Sequence, residues 1–365
     1  MKVICEQADL SRYLQIITRA ISTKSTLPIL TGILVETKDN YLHCVATDLE
    51  ISIEINVPNV EIIEKGAIVL PGKTFVDIIR HLPSGKVEFG TDKNSNMVLI
   101  SGSHSSFQLP LLPTEEFPLL PEVKDNSNFK VNGLLLKEAI KQTVYATLAE
   151  DPRPFLSSIL WEINHDRLRL VATDINRLAI RDIPINCQLQ TTALIPVRSF
   201  KEIANIFGNS ADEDLEVSIS DRVLFVKGLG INFSSRLVDA QFPRYEQVIP
   251  KEFKGTLKVK RDQFISALER SALVSNSVKI KIGNQQMILT AKEPDKGNAF
   301  EEIEVDVSGS DLEIGFNVRF LLDFLKSVDT EKVIFNYIQE QKSVLLQGEA
   351  RDDYFYVVMP LKLVN

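Results

Sequence analysis

Apolar positions along the chain switch between two periods. Met1 to Glu6 alternates like a strand. After Asp9, a residue suited to capping a helix, Leu10, Leu14, Ile17 and Ile21 recur at helical spacing, with Arg12, Gln15 and Arg19 on the opposite side. Alternation by two returns at Ile33–Glu36, Tyr41–Thr47 and Glu50–Val57. Pro71 is an allowed helix-entry residue. It opens a second helix with Phe75, Ile78, Ile79 and Leu82 on its apolar side and Lys73, Asp77 and Arg80 on the other. Strands follow at Lys86–Gly90, Met97–Ser101 and Phe107–Leu111. Helix, strands, helix, strands lacks the rhythm of a parallel sheet, so the pattern predicts an α+β fold with antiparallel sheets.

The same pattern then repeats. Val45-Ala46-Thr47-Asp48 recurs as Val171-Ala172-Thr173-Asp174, 126 positions later. Leu70-Pro71-Gly72-Lys73-Thr74-Phe75 recurs as Ile195-Pro196-Val197-Arg198-Ser199-Phe200, and Phe117-Pro118 as Phe242-Pro243, both 125 later. A third, fainter copy carries Leu289-Thr290-Ala291-Lys292 and Phe316-Asn317-Val318-Arg319-Phe320. A period near 120 is too long for a solenoid unit and is the size of a domain. The 365 residues therefore predict three tandem similar domains, 1–125, 126–251 and 252–365. Helices are expected at about 133–148 and 197–208 in the second copy and near 262–275 and 318–328 in the third. Linkers are expected near Pro121–Asn128 and Ile249–Gly255.

Composition narrows the class. An apolar fraction of 44% and a charged fraction of 25% are ordinary for a globular protein. Apolar runs are short and soon broken by charge, so no membrane span is expected. The N-terminus lacks the apolar core of a signal peptide. Cys5, Cys44 and Cys187 form neither a metal spacing nor a disulfide framework, and the expected setting is cytoplasmic. Net charge is −8, which disfavours nucleic acid over the whole surface. Yet each of the six predicted helices, counted with its entry residues, carries a net positive charge of one or two. Basic helices and acidic strands and loops make a two-faced molecule, able to hold a polyanion locally. Lys and Arg also favour helices on plain solvated faces, but the same polarity in all six argues for a lining. Such a lining would meet phosphates, which position without specifying sequence.

No reaction chemistry stands out. His43, His81, His104 and His165 show no ligand spacing. Gly228-Leu229-Gly230 lacks the rest of a dinucleotide loop, and neither a phosphate-binding loop nor a nucleophile elbow is present. Asp48 and Asp174 are expected to accept local backbone amides in turns rather than to act as acids. No cofactor or metal is expected.

With these residues in view, the chain resembles the bacterial sliding-clamp family, the beta processivity subunit of the replicative DNA polymerase. The resemblance spans the full length. It rests on Thr26-Leu27-Pro28-Ile29-Leu30, on Val171-Ala172-Thr173-Asp174 followed by Arg177-Leu178-Ala179, and on Phe242-Pro243 with Tyr245. It rests also on Glu313-Ile314-Gly315-Phe316-Asn317 and on Tyr356-Val357-Val358-Met359-Pro360-Leu361. The resemblance implies a DNA-clamp fold without catalysis: a head-to-tail homodimer whose six domains close a ring, sheets outside and two helices per domain lining the hole. Twelve helices about 9 Å apart make a circle of roughly 35 Å across their axes, wider than a duplex. The ring would encircle double-stranded DNA, be loaded by an ATP-dependent clamp loader, and tether the replicative polymerase together with other polymerases and repair factors through short peptide motifs.

The implied DNA-facing residues are Arg12, Arg19, Lys24, Lys73, Arg80, Lys137, Lys141, Arg198 and Lys201. The implied partner-peptide groove comprises Leu156, Thr173, Arg177, Leu178, Pro243, Val248, Ser343, Val358, Met359, Pro360 and Leu361. In it Met359 offers a flexible, polarisable surface and Arg177 is expected to frame the mouth and hydrogen-bond the peptide backbone. At the implied dimer interface Phe107 and Leu109 pack on Leu273 and Val274, with Glu301, Glu302 and Glu304 for charge pairing. Where the family sets arginines opposite them, Ser101–Ser106 here offers only His104. Ile175-Asn176, Pro154-Phe155, Gln247 and the Val364-Asn365 extension also depart from the family pattern. Two rival readings are a peptide-binding scaffold that does not encircle DNA and an enzyme on a repeated frame.

Overall fold

In the computed structural model the described residues are 1–22, 26–91, 96–121, 128–208, 213–220 and 222–362. Lys24, the extension Val364-Asn365 and most of the first linker lie outside them. Six α-helices occur among the described residues: α1 (Gln7–Ile17), α2 (Gly72–His81), α3 (Gly133–Thr143), α4 (Val197–Phe207), α5 (Arg261–Ala272) and α6 (Val318–Ser327). Leu10, Leu14 and Ile17 are buried on α1 while Arg12, Gln15 and Arg19 are exposed, as the helical spacing predicts. Asp9 does not cap this helix. Glu6 takes the cap position and Asp9 sits in the first turn, where a negative charge still favours the helix dipole. The third helix is shorter than expected. It ends at Thr143, whose hydroxyl donates to the Ala139 carbonyl (2.8 Å), and a 3-10 turn Val144–Ala146 follows.

Every strand pairing among the described residues is antiparallel. The chain divides into two compact units: Met1–Leu134 with Glu202–Leu237, and Leu135–Lys201 with Val238–Asn365. In the first unit a five-stranded sheet runs from the strand Glu61–Glu64 to an edge at Ser105–Pro110. An eight-stranded sheet joins strands of the first and second repeats, because Ile231–Arg236 pairs with Ile51–Val57. In the second unit a nine-stranded sheet does the same one repeat later, through the pairing of Tyr354–Val358 with Arg177–Pro184. A four-stranded sheet ends at the edge strand Gly297–Glu304.

Helices α1 and α2 pack on each other, as do α5 and α6. Their apolar faces meet aromatic side chains of the sheets: Phe75 of α2 lies edge-on to Phe89 at 5.5 Å, and Phe324 of α6 stacks on Tyr356 at 5.2 Å. Trp161 is fully buried against Phe200 at 5.5 Å.

Candidate functional site

The repeated Thr-Asp dipeptides shape two equivalent turns. Asp174 Oδ1 accepts from the amides of Asn176 and Arg177, both at 3.0 Å, and Thr173 Oγ1 accepts from the Ile175 amide at 3.1 Å. Asp48 Oδ1 accepts from Glu50 and Ile51 (3.0 and 2.8 Å), and Thr47 Oγ1 from Leu49 at 3.0 Å. Both turns hold their central residue at positive φ, 78° at Ile175 and 73° at Leu49. That conformation is costly for a branched side chain, and the caged carboxylates hold it in place. The turn role expected of both aspartates is thus what the geometry gives.

In the second unit this turn sits at one end of an apolar surface. Strand register puts Thr173 opposite Leu178, and Leu178 opposite Val357, which itself faces Leu345. Directly opposed residues share a face of the sheet. Leu178, Val357, Leu345, Ile180, Val171 and Tyr245 form one buried cluster with Phe242, Ile249 and Phe355 packed on it. Chain continuation carries Met359 beyond this face, where it is 43% exposed and its amide donates to the Asn176 carbonyl at 2.8 Å. The Leu361 amide donates to Gly315 at 2.8 Å. Pro243 and Val248 are exposed on the segment that Tyr245 anchors. The Tyr245 hydroxyl donates to Glu162 at 2.6 Å, and Arg169 stands at 3.5 Å from it while clasping Asp182 with two bonds of 2.7 and 2.8 Å. Burial, then the bond to Glu162, pushes the Tyr245 phenol above its ordinary range.

Two residues of the expected groove lie on the other face. Val358 pairs with Arg177 and is fully buried, so alternation turns it away from Leu178. The apolar neighbour of Leu178 is Val357, which the motif match passed over. Nor does Arg177 reach for a peptide. It is only 7% exposed, and its guanidinium donates to Asp174 (2.8 Å), Asp323 (2.6 Å) and the Tyr145 carbonyl (2.5 Å). The group also stacks 4.4 Å from the Phe320 ring centroid and 5.3 Å from Tyr145. Burial opposes its charge, but Tyr356, Asp323 and Asp174 together outweigh that and raise its pKa. With all three of its nitrogens engaged, Arg177 ties the turn to α6. Leu156 is buried, Ser343 and Pro360 are half-buried and Leu361 is exposed. Ile175, at 57% exposure, stands at the open side of the turn.

Of the basic helix residues, Arg12, Arg19, Lys73, Arg80, Lys137, Lys141, Arg198 and Lys201 are all exposed. Arg19 pairs with Glu202 at 2.8 Å and Arg80 with Asp77 at 3.1 Å. Among the residues expected at an interface, Phe107 and Leu273 are exposed, the latter at 78%, Val274 is half-buried and Leu109 is buried within its own sheet. Phe300, 64% exposed on the edge strand Gly297–Glu304, was not anticipated. Glu301 is held by Arg270 through two bonds of 2.8 and 2.5 Å, which keep its carboxyl below the usual range. Among the described residues no group of His, Cys, Asp and Glu could hold a metal ion, and no helix is long and apolar enough to cross a membrane.

Comparison with known proteins accounts for this arrangement. Three family models match in order: the N-terminal domain of the DNA polymerase III beta subunit over residues 1–121, its central domain over 130–244 and its C-terminal domain over 246–362. A beta sliding clamp of Staphylococcus epidermidis is 34% identical over 359 residues, 94% of each chain. One of Staphylococcus aureus is 32% identical with the same coverage. Among solved structures, the sliding clamp of Bacillus subtilis matches with a TM-score of 0.96 at 26% identity, and the DNA polymerase III beta subunit of Pseudomonas aeruginosa with 0.95 at 29%. Both matches cover all of both chains. The chain therefore belongs to the family of the DNA polymerase III beta subunit, the beta sliding clamps, which are non-catalytic processivity subunits of that polymerase.

Proposed function

We propose that the chain closes, as a head-to-tail homodimer, into a ring around duplex DNA and holds its partners by short peptides docked in the second unit. Its domains are the three repeats, 1–125, 126–251 and 252–365. The observation that carries the reading is the apolar strand-end surface in which Met359, Val248 and Pro243 stand open beside buried Leu178 and Val357. A peptide with two or three large apolar residues would bury them there at about 25 cal/mol per Å² of apolar area removed from water. The replicative polymerase, the clamp loader ATPase and repair factors would compete for that surface. Arg12, Arg19, Lys73, Arg80, Lys137, Lys141, Arg198 and Lys201 would meet phosphates in a screened, sequence-independent way, so that topology rather than affinity retains the DNA. Closure would join two sheet edges, Ser105–Pro110 of one copy and Gly297–Glu304 of the other, since unpaired edges template strand addition. Phe107, Leu273, Val274 and Phe300 supply apolar contact there. The work would be done in the cytoplasm.

Fluorescence anisotropy of a labelled Gln-Leu-Ser-Leu-Phe peptide tests the groove. Saturable binding that Met359→Asp abolishes is expected; a folded protein that binds no peptide would sink this part of the reading. Retention on closed circular DNA, with release once the circle is cut, tests encirclement. Equal retention on linear DNA would rule it out.

A further inference from the structure

The docking surface has a double that the chain has not made apolar. In the first unit Thr47 lies opposite Ser52, and Ser52 opposite Ser234. This is the register of Thr173, Leu178 and Val357 in the second unit. The backbone bond that ends each pairing is also repeated: the Arg236 amide donates to the Glu50 carbonyl at 2.9 Å, as the Met359 amide does to Asn176 at 2.8 Å. The covering segment recurs as well. Phe117 packs on the cluster of Ile29, Leu30 and Val69, as Phe242 packs on its own. Position by position, then, Leu178, Ile180, Val357 and Met359 correspond to Ser52, Glu54, Ser234 and Arg236.

The side chains differ in kind. The Ser52 hydroxyl bonds that of Thr47 at 2.8 Å. Glu54 is half-buried, with burial raising its carboxyl pKa and His43 Nε2 standing 3.4 Å away. Arg236 is exposed. An apolar peptide side chain laid here would strip water from the half-buried Glu54 carboxylate and the exposed Arg236 without replacing their hydrogen bonds, and would meet serines in place of an apolar floor, which is unfavourable.

We infer that the fold supplies two peptide-sized strand-end junctions per chain, and that Ser52, Glu54, Ser234 and Arg236 close the first to apolar peptides while Leu178, Ile180, Val357 and Met359 open the second. The inference rests on the groove reading above. It makes the number of partners held per chain a property of four side chains and not of the architecture.

The test is peptide stoichiometry, with labelled Gln-Leu-Ser-Leu-Phe titrated at a protein concentration well above its Kd. The unaltered chain should bind one peptide. The quadruple variant Ser52→Leu, Glu54→Ile, Ser234→Val, Arg236→Met should bind two. A folded quadruple variant that still binds one, or an unaltered chain that binds two, overturns the inference while leaving the groove intact. An unaltered chain that binds none overturns both. Should the quadruple variant not fold, Met359→Arg decides, because that position is exposed and tolerates the change. A loss of affinity of at least tenfold agrees with the inference, and unchanged affinity overturns it.

Discussion

Replacing Arg177 by Met should unfold the second unit more readily and loosen the turn that ends its apolar surface. The substitution keeps an unbranched apolar stem but deletes a guanidinium that donates to Asp174, Asp323 and the Tyr145 carbonyl and covers the Phe320 ring. Asp174 is 4% exposed and would be left buried with only its backbone donors. Removing one partner of a buried pair costs about 3–5 kcal/mol. The Asp323 side chain is partly exposed, so water recovers part of that bond. The retained stem keeps some packing on Phe320. These discounts place the loss near 3 kcal/mol, roughly two orders of magnitude in the unfolding equilibrium. The assay is built in: the single Trp161 is fully buried in the same unit, so its fluorescence follows that unit through a denaturant titration. Asp323→Asn should cost less, and the double variant should show a coupling of about 1–2 kcal/mol. A loss below about 1 kcal/mol for Arg177→Met would refute the view that the network holds the turn.

Three further outcomes are expected. Tyr245→Phe removes the bond to Glu162 and should cost about 1–2 kcal/mol in the same Trp161 assay, with a severalfold loss of peptide affinity as the Val248 segment loosens; unchanged affinity would show that the segment is held by packing alone. Burial pushes the Cys5 and Cys44 thiols up to about 12, so only about one in ten thousand is ionised at pH 8, and neither should react with a disulfide reagent until denaturant is added. Burial likewise raises the Glu54 carboxyl, so its contribution to stability is full below the unfolded value near about 4.3 and is lost as pH rises through the folded one. Amide exchange over Ile51–Val57 should therefore quicken across that window more in the unaltered chain than in Glu54→Gln, and parallel profiles would contradict this.

Much of the fold was legible because its signals are local. Helical spacing in the first copy, carried on by the repeat, located the six helices of the described residues, the recurring tetrapeptide located two equivalent turns, and the turn role of Asp48 and Asp174 follows from an Asx side chain two and three residues before the amides it accepts. What escaped depended on partners distant in sequence. Whether Val357 or Val358 lies beside Leu178 is a question of register between strands more than 170 positions apart, and a slip of one residue exchanges the two faces. Arg177 reads as an available donor until α6 brings Asp323 to it. Leu109 alternates correctly but belongs to the core of its own sheet, whereas Phe300, on an edge strand, has no intramolecular neighbour strand on its far side. Asp9 failed as a cap because Glu6 already ends the preceding strand at the helix start.

The charge count needs the same correction from pairing. All six helices are net basic in sequence, but the structure pairs many of those charges with carboxylates. In the third repeat Lys326 lies 2.6 Å from Glu269, Arg270 is clasped by Glu301, Arg319 is 4.0 Å from Asp323, and Arg261 is 3.0 Å from Asp262. The exposed Arg12 of α1 and Lys73 of α2 belong to the first repeat. Exposed ion pairs are worth only about 0–1 kcal/mol, so a phosphate backbone can displace a carboxylate partner at little cost. Pairing at such positions would weaken the field of the proposed lining without removing its capacity to bind. Charge reversal at Arg12 or Lys73 should consequently shift the salt dependence of DNA association more than reversal at Lys326.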